Sequence, residues 1–160
     1  MSNGPTRLRA LLDQEAACAA ELLSALATER DALSGATPER LEEAAAAKAG
    51  HLARLEALET DRAALLRQCG EDPAQPGSME RLLARLDDPA GQLADRWREI
   101  LDGVARCQSE NRVNGAIAEL SKRYVQNALN VLQGAPPEPE TYLPSGAAAT
   151  STVARPLGKA

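Results

Sequence analysis

The chain predicts an all-α protein, an elongated antiparallel helical hairpin or three-helix coiled-coil bundle with a disordered C-terminal tail. Leucines recur at threes and fours over long stretches, the spacing of one helix face. Hydrophobic residues make up 44% of the 160 residues while aromatics make up only 2%, with no Phe, one Trp and two Tyr. That mix, dominated by Ala, Leu, Glu and Arg, suits helices that touch along narrow seams better than a wide globular core. From position 134 onward Pro, Ala, Ser, Thr and Gly take over. Residues 1–134 are therefore assigned to the bundle and 135–160 to a tail that cannot bury enough apolar surface to offset the ordering of its backbone.

The first helix is expected over about 5–33. Leu8, Leu11, Leu12, Leu22, Leu23 and Leu26 mark its apolar face, with Cys18 and Ala19 between them, and Arg7, Asp13, Glu21 and Arg30 lie on the other. It stops near Ser34-Gly35. Thr37-Pro38-Glu39 opens a second helix, over about 37–69, because a Thr hydroxyl can accept an orphan N–H and Pro costs nothing at the first helical position. Leu41, Leu52, Leu55, Leu58, Leu65 and Leu66 mark its length, and Gly70 followed by Pro73 ends it. The short link favours an antiparallel hairpin, in which Ala44 to Ala47 either allow close approach or serve simply as good helix formers.

Residues 70–77 read as a loop. Ser78 is placed to cap a short helix over about 79–87 carrying Leu82, Leu83 and Leu86, and Asp88-Pro89 to restart the chain as cap and first residue of a long helix over about 89–133. At about 1.5 Å per residue that last helix would be on the order of 65 Å long.

Charge and motif content exclude several classes of function. The net charge of −5 is spread along helical faces, and no Lys/Arg cluster with interleaved aromatics is present to follow a phosphate backbone, so no nucleic-acid partner is expected. The N-terminus lacks the apolar core of a signal peptide and no apolar run could span a bilayer. A soluble, cytoplasmic protein without direct membrane insertion is expected. Cys18, Cys69 and Cys107 are odd in number and belong to no C-x-x-C pair, which suits small buried or half-buried residues of a reducing compartment. The single His, His51, has no Cys or acidic constellation close to it at metal-ligand spacing and reads as a solvated helical residue. No phosphate-binding loop and no nucleophile with a base is visible, and acid pairs such as Glu42-Glu43 and Asp87-Asp88 suit surfaces and caps. No enzymatic activity, metal or cofactor is assigned.

The last helix carries more apolar surface than a hairpin can cover. Advancing about 100° per residue, Trp97, Ile100 and Val104 fall within about 40° of Leu93, and Val125 and Leu129 continue that seam. Val113, Ile117, Leu120, Tyr124 and Val131 gather at about 180° to 240°, near the opposite side. Hiding roughly 400 to 600 Å² of this second stripe would be worth on the order of 10 kcal/mol before ordering costs, at roughly 25 cal/mol per Å². Three coverings are open: the stripe is buried within the chain or by a second copy in a homo-oligomer, it receives an amphipathic helix of a partner, or it meets a membrane surface, for which the basic face is missing. Asn111 falls on the first seam with Asn114 close to it, where a buried amide needs partners and can fix register. Gly115 after it is either a tolerated weakness or a hinge or close-contact point.

Trp97, Asn111, Asn114-Gly115, Leu132, Gly134 and, after Pro136-Pro137-Glu138-Pro139-Glu140, Thr141-Tyr142 and Gly146 follow one another in an order that resembles the flagellar export chaperones of the FlgN family. Over residues 1–90 the likeness is one of length and helical style. The tail departs from the family pattern at Leu143-Pro144, where Gly would follow the Tyr. The resemblance implies a cytoplasmic chaperone that guards hook-associated proteins, with the hook-filament junction proteins FlgK and FlgL as cargoes and the export gate protein FlhA as the point of delivery. It implies further that the second stripe of the last helix is the cargo site and that Tyr142, held away from the bundle by the Pro-rich stretch, is an aromatic anchor for the gate.

Overall fold

The computed structural model describes residues 3–35, 37–86, 88 and 90–133. Within them the chain forms α1 (Asn3–Leu33), α2 (Pro38–Gln68), α3 (Ser78–Arg85) and α4 (Gln92–Leu132), and no strand occurs among the described residues. The predicted tail, with Tyr142, lies outside them. The chain divides into two units, Met1–Glu119 and Leu120–Ala160.

In the first unit the cross-helix contacts fix direction and register. Glu15 pairs with Arg62, Glu21 with Arg54 and Glu29 with Lys48, so α2 descends as α1 rises, an antiparallel hairpin. Asp13 pairs with Arg96, the Ala19 carbonyl accepts from Cys107 and the Leu26 carbonyl from Asn114, so α4 ascends alongside α1. Arg62 over Trp97 and Lys48 beside Asn111 give α4 its antiparallel register on α2. This is the predicted three-helix arrangement, with α3 as a short bridge.

The seams keep a seven-residue repeat. Leu8, Glu15, Leu22 and Glu29 form one buried line on α1, and Leu11, Cys18, Ala25 and Ala32 the next. On α2, Ala44, Leu58 and Leu65 are buried in step with half-buried His51, and on α4 the line is Leu93, Ile100, Cys107 and Asn114. Such a repeat keeps facing its partners only when helices pack as coiled coils. The core therefore runs along the bundle as stacked layers of Leu, Ile, Met and Cys, with Trp97 and Val104 packed on its flank. Leu52, read as part of the α2 seam, is exposed instead, because it lies outside this repeat.

The helix ends differ from expectation in their chemistry more than their position. α2 ends as predicted on left-handed Gly70 (φ 80°). Gly70 N–H donates to the Arg67 carbonyl at 3.0 Å and Glu71 N–H to the Leu66 carbonyl at 2.9 Å, the paired bonds of a Schellman motif. Pro38 is the first residue of α2, but the Thr37 side chain makes no capping hydrogen bond. Ser78 does not cap α3. The cap is Gly77, left-handed at φ 75°, and Ser78 is the first helical residue. α4 begins at Gln92 rather than at Pro89, and Asp88 serves it from a distance, its carboxylate accepting the Leu93 N–H at 2.8 Å. Buried Glu71 accepts from Arg81 at 2.9 Å and Arg85 at 2.8 Å, which clips α3 to the loop before it.

The described part of the second unit is helical through Leu132. None of its described residues is buried.

Candidate functional site

Near the end of α1 a group of polar side chains replaces the leucine core. Asn114 is 2% exposed. Its amide nitrogen donates to the Leu26 carbonyl and to Glu29 Oε2, both at 2.8 Å, and its amide oxygen accepts from Arg30 Nε at 3.0 Å. Arg30 also pairs with Glu110, and Lys48 reaches Glu29 at 2.5 Å. Burial works against ionisation of Glu29, but the Lys48 ammonium and the Asn114 amide outweigh it and hold the carboxyl below its usual range. Among the described residues no buried side-chain polar atom lacks a partner. Asn114 thus has the partners that a buried amide requires.

Asn111 and Gly115 differ from their predicted settings. Asn111 is exposed rather than buried on the seam, and its side-chain Oδ1 accepts from Lys48 Nζ at 3.5 Å. A Cβ built on Gly115 would meet no atom within 4 Å, so it is not a close-contact point; that place belongs to Gly103, where a Cβ would lie 3.5 Å from the Ala19 methyl. The seven-residue line explains both, since it passes through Asn114 and leaves its neighbours at 111 and 115 outside.

In the first unit Val113 is exposed and Ile117 half-buried. In the second unit Leu120 is 61%, Tyr124 77% and Val131 60% exposed. Val125 and Leu129, expected to continue the covered seam, are exposed as well, and so is Leu132. Arg30 and Leu26 of α1 bond α4 at Glu110 and Asn114, and α1 itself ends at Leu33. Val113, Ile117, Leu120, Tyr124 and Val131 are spaced four, three, four and seven, with Asn127 at the intermediate step. That is a coiled-coil spacing.

Sequence reasoning missed two groups. Glu15 is 1% exposed inside the α1 seam, and its carboxylate takes the Arg62 Nε at 2.9 and 3.1 Å. Burial pushes its carboxyl up and Arg62 offsets this in part. The same guanidinium lies 4.7 Å from the Trp97 ring centroid, and Trp97 Nε1 donates to Glu80 at 3.0 Å, so one chain of contacts joins all four helices. Counting sevens from Leu8 would have placed Glu15 and Glu29 in the seam.

The second group is a correction to the reading of His51. Folding brings Cys18, Glu21 and His51 together, their ligand atoms all within 4.8 Å of one another, although His51 lies on a different helix from the other two. His51 is half-buried, and its Nδ1 is 3.5 Å from Glu21 Oε2. Cys18 and Cys107 are buried free thiols as expected and Cys69 is half-buried; burial pushes the first two above the usual thiol range.

No helix among the described residues is long and apolar enough to cross a membrane. No curated protein and no solved structure is detectably similar to the chain. The family model described as FlgN protein matches residues 1–150, which takes in the bundle, Asn114, the exposed row and Thr141-Tyr142. The chain belongs to the FlgN family of flagellar export chaperones.

Proposed function

We propose that the chain is a cytosolic chaperone of flagellar type III export that binds the amphipathic terminal helix of hook-associated proteins. The cargoes are the hook-filament junction proteins FlgK and FlgL, which it keeps from assembling early and delivers to the export gate protein FlhA. One observation carries the cargo site: Val113, Leu120, Tyr124 and Val131 are exposed at coiled-coil spacing. An apolar row of that geometry suits an amphipathic helix laid along it, and burying it at roughly 25 cal/mol per Å² offsets the ordering of a segment that is unfolded beforehand.

Asn114 sets the register of α4 on α1, with Asn111 in a lesser role beside Lys48, so that the row starts at a fixed place. Gly115 is a hinge that lowers helix stability beyond it. Tyr142, outside the described residues, is the gate anchor, a role supported by the family's Thr-Tyr motif alone.

The test is a triple variant, Leu120→Ser, Tyr124→Ser and Val131→Ser, chosen because all three side chains are exposed and none supports the core. Circular dichroism stays unchanged while binding of a synthetic terminal helix of either cargo is lost. Undiminished binding would remove the row from the account. Light scattering separates the competing reading: a permanent homo-oligomer that ignores the peptide would make the row a self-association seam. Tyr142→Ala retains cargo and loses gate docking; docking at full strength would sink the anchor.

A further inference from the structure

We propose that Cys18, Glu21 and His51 form a zinc-type metal site that ties α1 to α2. The thiol, carboxylate and imidazole atoms already lie within 4.8 Å of one another, with Glu21 Oε2 and His51 Nδ1 at 3.5 Å. Around a tetrahedral ion with bonds of about 2.0 to 2.3 Å, neighbouring ligand atoms sit roughly 3.3 to 3.7 Å apart, so side-chain rotation alone closes the shell. Cys18 and Glu21 are three apart on α1 and so share a face, and the antiparallel register brings His51 of α2 opposite them.

The donor set selects the class of ion. One sulfur, one nitrogen and one oxygen suit Zn²⁺, whereas Mg²⁺ and Ca²⁺ prefer oxygen alone. Cys18 forms the buried end of the site, while the side chains of Glu21 and His51 are 46% and 30% exposed. Those two also line a surface cleft of about 280 Å³ with Ser24 and Ala47, which leaves the fourth position to water.

Two contacts are rearranged on binding. Cys18 now donates its thiol hydrogen towards the His51 carbonyl at 3.4 Å, and that proton passes to solvent when the sulfur takes the metal. Arg54, 3.1 Å from Glu21 Oε2, competes for the carboxylate and then holds it from outside while the metal takes the nearer lone pair.

Cobalt(II), titrated into the full reduced chain, is the probe. The expected result is a thiolate-to-cobalt charge-transfer absorption together with the intense visible bands of four-coordinate cobalt, saturating at one ion per chain and displaced by zinc. Cys18→Ser abolishes the charge-transfer band, His51→Ala weakens binding at least about tenfold, and Cys107→Ser, which removes the other buried thiol, leaves the spectrum intact. Glu21→Gln alters a half-exposed side chain outside the core and weakens binding without loss of helicity, which guards against a Cys18 variant that fails to fold. No charge-transfer band at millimolar cobalt overturns the proposal. So does a band that survives Cys18→Ser, or an affinity unchanged in both Glu21→Gln and His51→Ala.

Discussion

Asn114 donates its side-chain N–H to the main-chain carbonyl of Leu26 at 2.8 Å, across 88 residues of sequence. A side-chain amide that bonds a helical carbonyl of its neighbour ties α4 to α1 at this level, and a slide of one heptad, two turns, would put Cys107 opposite Leu26 in its place. The carbonyl accepts this bond in addition to its own helical one, so the gain is in specificity as much as in strength.

Asn114→Leu should lower stability by about 1 to 3 kcal/mol, since it leaves buried Glu29 and half-buried Arg30 each short of a partner. Urea unfolding followed by circular dichroism measures the loss. A change under about 0.5 kcal/mol would mean that water replaces the amide freely and that register is set by the leucines alone.

The same cluster has a pH signature. Because the folded-state value of Glu29 lies below the ordinary 4.5, its ionised form contributes stability that is present above 4.5 and lost as pH falls through the folded value. Glu15 has the opposite sign: its value is raised, so ionisation costs the folded state, and protonation in acid partly compensates the loss at Glu29. Glu29→Gln should therefore be less stable than the parent at about pH 7 and converge with it below 4.5. A gap that stays constant down to about pH 3 would show that Glu29 acts through shape and not charge.

Arg62 serves both buried Glu15 and the face of Trp97. Its removal leaves Glu15 buried and unpaired and takes the cation from the Trp97 face, so Arg62→Ala should cost about 3 to 5 kcal/mol. A paired Glu15→Leu, Arg62→Leu variant removes both charges together and should recover most of that loss. Thermal unfolding of the two variants side by side decides the matter; equal destabilisation by both would show that packing of the Arg62 stem, and not the orphaned carboxylate, accounts for the effect.

The leucine spacing made the helices legible, and the apolar surplus of the last helix was legible too, because both depend only on residues a few positions apart. Glu15 and Glu29 were not, since a charged residue type reads as surface until its cation is known, and those cations lie on α2, 47 and 19 residues away. The Cys18–Glu21–His51 group was hidden for the same reason: hairpin register decides which residue of α2 faces Cys18. Capping erred at Ser78 because left-handed Gly77 takes the cap position and leaves Ser78 as the first helical residue, whereas Thr37 holds the cap position with extended backbone and still makes no side-chain bond. Val125 and Leu129 are exposed although they continue the face of the first seam, since periodicity tells which face a residue occupies and not whether anything covers it.

Gly115 offers a test that joins stability to function. A Cβ there meets no atom within 4 Å, so Gly115→Ala introduces no clash and removes backbone freedom from the unfolded chain. The thermal midpoint should rise, by the equivalent of about 0.5 to 1 kcal/mol. If the hinge is used, the stiffened helix should at the same time capture the cargo helix more weakly or more slowly than the parent. A variant that gains stability and binds the peptide with unaltered rate and affinity would leave Gly115 as a tolerated weakness, and the cargo row would then act on a helix that has no need to bend.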